Sequence, residues 1–125
     1  MKKRVSTPKA PAAIGPYSQA IIHNGMIYCS GQIPLNPETM KIVGDDASSQ
    51  TQQVMENLSE VLKEAGSDFT KVIKCSIFLD DMGDFGKVNE VYGSFFAADP
   101  PARETVAVQT LPKEVLVEIS CIAYI

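Results

Sequence analysis

A chain of 125 residues, 45% hydrophobic and 21% charged, is expected to form one domain with a single core and to need no disulfide or metal to close it. Its formal net charge of −4 disfavours a phosphate backbone as partner, and no apolar run is long enough to span a bilayer. Its three cysteines, Cys29, Cys75 and Cys121, stand far apart in apolar runs with no CxxC pair. They read as buried thiols in a reducing compartment, not as disulfides or metal ligands. No apolar run follows the basic start, so no signal peptide is expected and the chain reads as soluble and cytoplasmic. Lys2, Lys3 and Arg4 read as a solvated end.

In chain order, the proline-rich segment STPKAPAAIGPYSQA predicts an extended arm leading into a strand. Asn24-Gly25 between two apolar runs predicts a type I′ turn joining strands near 18–23 and 26–33. A turn-like stretch follows, with a short strand at 40–43. Val54, Met55, Leu58, Val61, Leu62 and Ala65 then mark one face of a helix over 47–65. Asp46 or Ser48 can cap its start, and Gly66 stops it. KVIKCSIFLD alternates as a strand with Ile73, Cys75, Ile77 and Leu79 on one side and Val72 and Phe78 on the other. A second helix is predicted over 84–97, its face being Phe85, Val88, Tyr92 and Phe95 or Phe96, ended by Pro100-Pro101. Strands near 103–109 and 115–124, joined as a hairpin through TLPKE, complete a ββαβαββ order and an α+β fold. Two helices cover only one face of such a sheet. The last strand is nevertheless apolar on both sides, so its open face is expected to pack against another copy.

Two charges interrupt these strands. Arg103 opens a strand on the face shared with Thr105, Ala107 and Gln109, and Glu118 stands in the apolar run VLVEISCIAYI. An ionised carboxylate is seldom buried alone. Across a hairpin the two can form a structural ion pair. Alternatively, Arg103 offers its planar donor fork to a substrate carboxylate or phosphate, and Glu118 orients or activates a water. Tyr17 lies beside a Gly-Pro turn, as loop packing or as a site wall. Ser30-Gly31 marks either a bulge or a place where bare backbone can approach a ligand. Asn89 reads first as a solvent-edge residue. The one histidine, His23, excludes a ribonuclease built on a histidine acid/base pair. No metal-ligand spacing, P-loop, GxGxxG or GxSxG is present.

The stretches APAAIGPYSQA, YCSGQIPLNP, DFGKVNEVYGSFF, PPARETVAV and LPKEVLVEISCIA together resemble the reactive intermediate deaminase (RidA, YjgF) family. The resemblance runs over nearly the whole chain, 1–125, with the motifs in order. It implies a chorismate-mutase-like fold with two helices on one face of a mixed sheet. It also implies a homotrimer with its sheets facing inward and three clefts between subunits. The implied activity is hydrolysis of 2-enamines and 2-imines such as 2-aminoacrylate and 2-iminobutanoate, released by pyridoxal-phosphate enzymes, to 2-keto acids and ammonia, without a cofactor. Carried over by motif, Arg103 clamps the substrate carboxylate and Glu118 positions the attacking water. Tyr17, Ser30, Gly31, Asn89 and Thr105 line the cleft. Many members carry a cysteine where this chain has Thr105, so no thiol is required at that position here. Two other roles attach to such a chain: a ribonuclease or translation inhibitor, and a non-catalytic metabolite-binding or chaperone-like trimer.

Overall fold

The computed structural model describes residues 1–125. The elements, in order, are β1 (Lys3–Val5), β2 (Ala20–His23), β3 (Met26–Gln32), α1 (Ala47–Glu64), β4 (Val72–Leu79), α2 (Phe85–Gly93), β5 (Ala102–Ala107) and β6 (Val117–Tyr124). They form an α+β fold with one six-stranded mixed sheet in the order β1-β2-β3-β6-β4-β5. All pairs are antiparallel except β4 and β5, which run parallel.

Helix α1 forms where the periodicity predicted. Asp46 caps it, its carboxylate accepting from the Ser49 amide at 2.8 Å, and Gly66 closes it at φ +88°, a left-handed angle that suits glycine. Val54, Met55, Leu58, Val61 and Leu62 are fully buried against Ile27, Ile77, Leu79, Val117 and Ile119 of the sheet. Both helices lie on this one face. The turn at Asn24 (φ 51°) and Gly25 (φ 75°) is left-handed at both positions, as type I′ requires.

Several expectations are corrected. Strands β5 and β6 are not a hairpin: β4 lies between them, and β6 occupies the middle of the sheet with neighbours on both edges. Ile73 is exposed and Val72 buried, the reverse of the expected facing, because the β4–β6 register slips between Val72 and Lys74. An inserted residue shifts the alternation by one, so the facing read from Cys75 onward does not extend back through the slip. The second helix ends at Gly93 instead of 97. Beyond it, Phe95 and Phe96 leave the helix axis to pack edge-on against Phe69, with centroids 5.5 Å apart in both cases. The short strand expected at 40–43 is a single bridge, Leu35 to Ile42. Lys3 and Arg4 belong to an edge strand, not a loose end.

The opposite face of the sheet carries no helix; the arm and the loop after β3 reach it only around Glu118. Tyr28, Val106 and Tyr124 are exposed there, beside a Lys74–Glu104 ion pair at 3.2 Å and a Ser76–Glu104 hydrogen bond. No helix is long and apolar enough to cross a membrane.

Candidate active site

Arg103 leaves β5 toward the helix side of the sheet, in register with Cys75 of β4. Its Nη1 donates to Asn89 Oδ1 at 2.5 Å. Its guanidinium carbon lies 5.5 Å from the ring centre of Phe85 and 5.2 Å from that of Tyr92. Phe85, Asn89 and Tyr92 recur at helical spacing, so one stripe of α2 presents an aromatic bed and a carbonyl oxygen to the same cation. That stripe was legible as a core face. Its second use, holding an arginine, was not. Stacked and anchored in this way, Arg103 has no carboxylate partner, because the ion pairs of the chain are Lys63–Glu60 and Lys74–Glu104. Its remaining donors face a hollow of about 440 Å³ lined by Asn89, Tyr92, Gly93, Pro100, Pro101 and Arg103. Asn89 is therefore bonded to the arginine and is more than a solvent-edge residue.

Thr105 shares the Arg103 face, as the alternation predicted, but it does not line that hollow. Its Oγ1 is buried without a hydrogen-bond partner, as is the Tyr92 hydroxyl. Tyr92 Oη abuts the Cys75 thiol, a poor acceptor, and no bond of good geometry forms between them. All three cysteines are free and buried, and burial pushes the Cys75 thiol up from its ordinary value.

Glu118 is elsewhere. Val117 and Ile119 on either side of it point into the helix-covered core, so Glu118 points to the other face, in register with Phe78. The ion pair between Arg103 and Glu118 is thus ruled out: the sheet stands between them. Glu118 lines a separate cavity of about 460 Å³ with Tyr17, Gly31, Lys113 and apolar residues of the arm and the following loop. Gly31, in a bulge of β3, lines this cavity, whereas Ser30 does not. Three steps on β3, from Cys29 to Gln32, oppose two on β6, from Cys121 to Ile119. A Cβ on Gly31 would stand 2.9 Å from Glu118 Cδ and 3.1 Å from its Cγ, so only a bare backbone admits the carboxylate here. Ser30 serves the wall: its hydroxyl donates to Ser18 C=O at 2.6 Å and its amide to Gln19 C=O at 2.9 Å, fixing the turn that bears Tyr17.

Sequence reasoning missed Gln19 and Lys113. Gln19 is buried and ties the irregular arm down, its Nε2 donating to the carbonyls of Thr7, Ala10 and Pro11 and its Oε1 accepting from the Thr7 amide at 2.7 Å. A buried glutamine beside a segment with no ladder of its own is the available signal.

The half-buried Glu118 carboxylate has no ion-pair partner, and desolvation pushes its pKa above the ordinary 4.5. The charged form is thereby disfavoured in the fold relative to the unfolded chain. That penalty applies above the raised folded-state pKa and vanishes as pH falls below 4.5. Glu118→Gln is accordingly expected to raise the melting temperature at neutral pH. The gain should shrink toward nothing below the ordinary carboxylate range, as thermal melts across pH will show.

The fold and these two hollows define a small α+β protein with a one-sided sheet and an arginine and a glutamate each set at an opening of small-molecule size. The family model described as "Endoribonuclease L-PSP" matches residues 7–125. A rat protein named 2-iminobutanoate/2-iminopropanoate deaminase is 46% identical over 98% of this chain and 90% of its own length. An Arabidopsis thaliana protein named Reactive Intermediate Deaminase A, chloroplastic, is 49% identical over 98% of this chain and 65% of its own length. The crystal structure of YyfA from Yersinia pestis, a conserved Rid-family protein, matches with a TM-score of 0.98 at 46% identity over the whole of both chains. This chain belongs to that family, the one its motifs resemble.

Proposed function

We propose that this protein is an enamine/imine deaminase, a homotrimer through its open sheet face, with each active site completed by two chains. The observation that carries the reading is the state of Arg103: stacked on Phe85 and Tyr92, held by Asn89, and free of any carboxylate partner. Such a preorganised fork suits the planar carboxylate of a small 2-imino acid. Glu118 faces away from Arg103 in its own chain, so the substrate that Arg103 holds meets the Glu118 of a neighbouring chain. The exposed Tyr28, Val106 and Tyr124 of the uncovered face give that neighbour an apolar surface to pack on.

The chemistry asks little of the protein. The protonated imine carbon is already electrophilic. Glu118 takes a proton from a bound water as its oxygen bonds to that carbon, giving a tetrahedral carbinolamine. The same carboxyl returns that proton to nitrogen; as the C–N bond breaks, the hydroxyl oxygen closes to a carbonyl and its proton leaves with the ammonia as ammonium, giving a 2-keto acid. A carboxylate with a pKa raised by burial is better matched to both steps than an ordinary one. Fixed geometry supplies the rest by converting a bimolecular addition into a positioned one. Tyr17 and the Gly31 backbone wall the Glu118 side. Asn89 orients the arginine. Thr105 shares the Arg103 face and packs behind the site, its hydroxyl buried.

The test is a coupled assay in which threonine dehydratase releases 2-iminobutanoate in the presence of semicarbazide. The protein is expected to suppress semicarbazone formation, and Arg103→Ala is expected not to. Trapping that stays unchanged over a wide range of protein concentration overturns the reading. The ribonuclease described in the family model's name finds no histidine beside Arg103 within the chain: His23 is exposed at the β2–β3 turn, with three strands between β2 and β5.

A further inference from the structure

The segment between β5 and β6 turns through two successive left-handed residues, neither of them glycine. Lys113 has φ 56° and ψ 18°, and Glu114 has φ 56°. The turn is closed by Glu114 N–H to Leu111 C=O at 2.9 Å and Val115 N–H to Pro112 C=O at 3.3 Å, and both flanking residues, Leu111 and Val115, are buried. Two adjacent positions of this kind are the place for Asn-Gly, and a long β-carbon-bearing side chain at each costs free energy. Strain of this sort persists where the surroundings over-determine it, and it clusters at ligand sites. The same Lys113 lines the cavity that holds Glu118, Tyr17 and Gly31. It is that cavity's one cationic residue and Glu118 its one anionic residue, yet the two form no ion pair, and Lys113 forms none with any other residue.

We infer that Lys113 is an anion subsite for a second carboxylate, so that the cleft takes imines of acidic amino acids, the 2-imino dicarboxylates. This inference rests on the shared-cleft reading above. A monocarboxylic 2-imino acid has one anion, which Arg103 takes, and its imine carbon belongs beside Glu118. The cation on the Glu118 side is then unmatched by such a substrate and matched by one bearing a distal carboxylate. The turn holds Lys113 at the rim against its own backbone preference.

The variant that separates function from folding is Lys113→Asn. Asparagine tolerates the left-handed region, so the backbone relaxes while the ammonium is lost. Its melting temperature is expected to equal or exceed that of the parent, while calorimetric affinity for the unreactive 2-oxoglutarate falls roughly tenfold and that for 2-oxobutanoate hardly changes. Lys113→Arg is expected to retain the preference. Turnover of imines released by an amino-acid oxidase from glutamate and from 2-aminobutyrate should follow the same pattern. If the parent binds 2-oxoglutarate no more tightly than 2-oxobutanoate, or if Lys113→Asn weakens both alike, the subsite is overturned. A Lys113→Asn protein that dissociates in size-exclusion chromatography also overturns it, showing that the lysine pairs with a neighbouring chain. A parent that prefers the dicarboxylate in binding but hydrolyses neither imine leaves the subsite standing and removes the deaminase reading.

Discussion

Arg103→Ala and Glu118→Gln are each expected to lose deaminase activity, by more than about a hundredfold in kcat/KM, while remaining assembled in light scattering. Mixed together, unfolded and refolded at equal amounts, they are expected to recover about one quarter of the parent activity. The arithmetic follows from the sheet standing between the two side chains. On the proposed reading each cleft draws its arginine from one chain and its glutamate from the next. At random mixing half of the arginine donors and half of the glutamate donors are intact, independently, so a quarter of the clefts have both. A mixture as inactive as its parts would show that both groups are needed from one chain, or that one of them lies outside the site. An Arg103→Ala protein that falls apart would show that the stacking on Phe85 and Tyr92 is there for assembly.

The second large effect belongs to Gly31. Alanine there places a methyl group 2.9 Å from Glu118 Cδ, well inside contact distance, and the carboxylate must move. Gly31→Ala is expected to lower kcat/KM by about two orders of magnitude, since a displacement of an ångström at a catalytic group has that scale. The φ of Gly31 lies outside the left-handed region, so the backbone itself accepts alanine. Circular dichroism and the elution volume should therefore match the parent. Activity within about twofold of the parent would mean that the position of Glu118 is not critical to the step, against the role given to it.

How far the chain was legible depended on whether a signal was local. The α1 helix, its Asp46 cap and the Asn24-Gly25 turn rest on contacts within a few residues, and each emerged as predicted. Arg103 and Thr105 shared a face because alternation holds along an unbroken strand. The order of the strands is a long-range matter. Sequential strands are neighbours more often than not, so β5 and β6 were paired. The continuous apolar character of β6 marked a strand with partners on both edges, and the exposed, mixed character of β5 marked an outer one. At Val72–Ile73 a single slipped residue inverted the facing, which periodicity cannot register. The site residues were singled out as odd side chains in apolar runs, but their division between two faces was hidden by the assumed hairpin. Gln19 and Lys113 were missed because one is a polar residue whose partners lie in a segment without regular structure. The other owes its interest to a backbone angle.

The division of Arg103 and Glu118 between faces also bears on how the activity scales with the amount of protein. On the proposed two-chain site, a chain on its own is inert, because neither half-site can turn over substrate by itself. Catalysis then begins only above the concentration at which chains associate, and on dilution through that range the rate per chain falls instead of staying constant. Abundance itself becomes the control: a cell making a little more of this chain gains more than a proportionate increase in activity. A chain defective in one of the two groups disables only the cleft to which it brings that group and leaves the cleft on its other side intact.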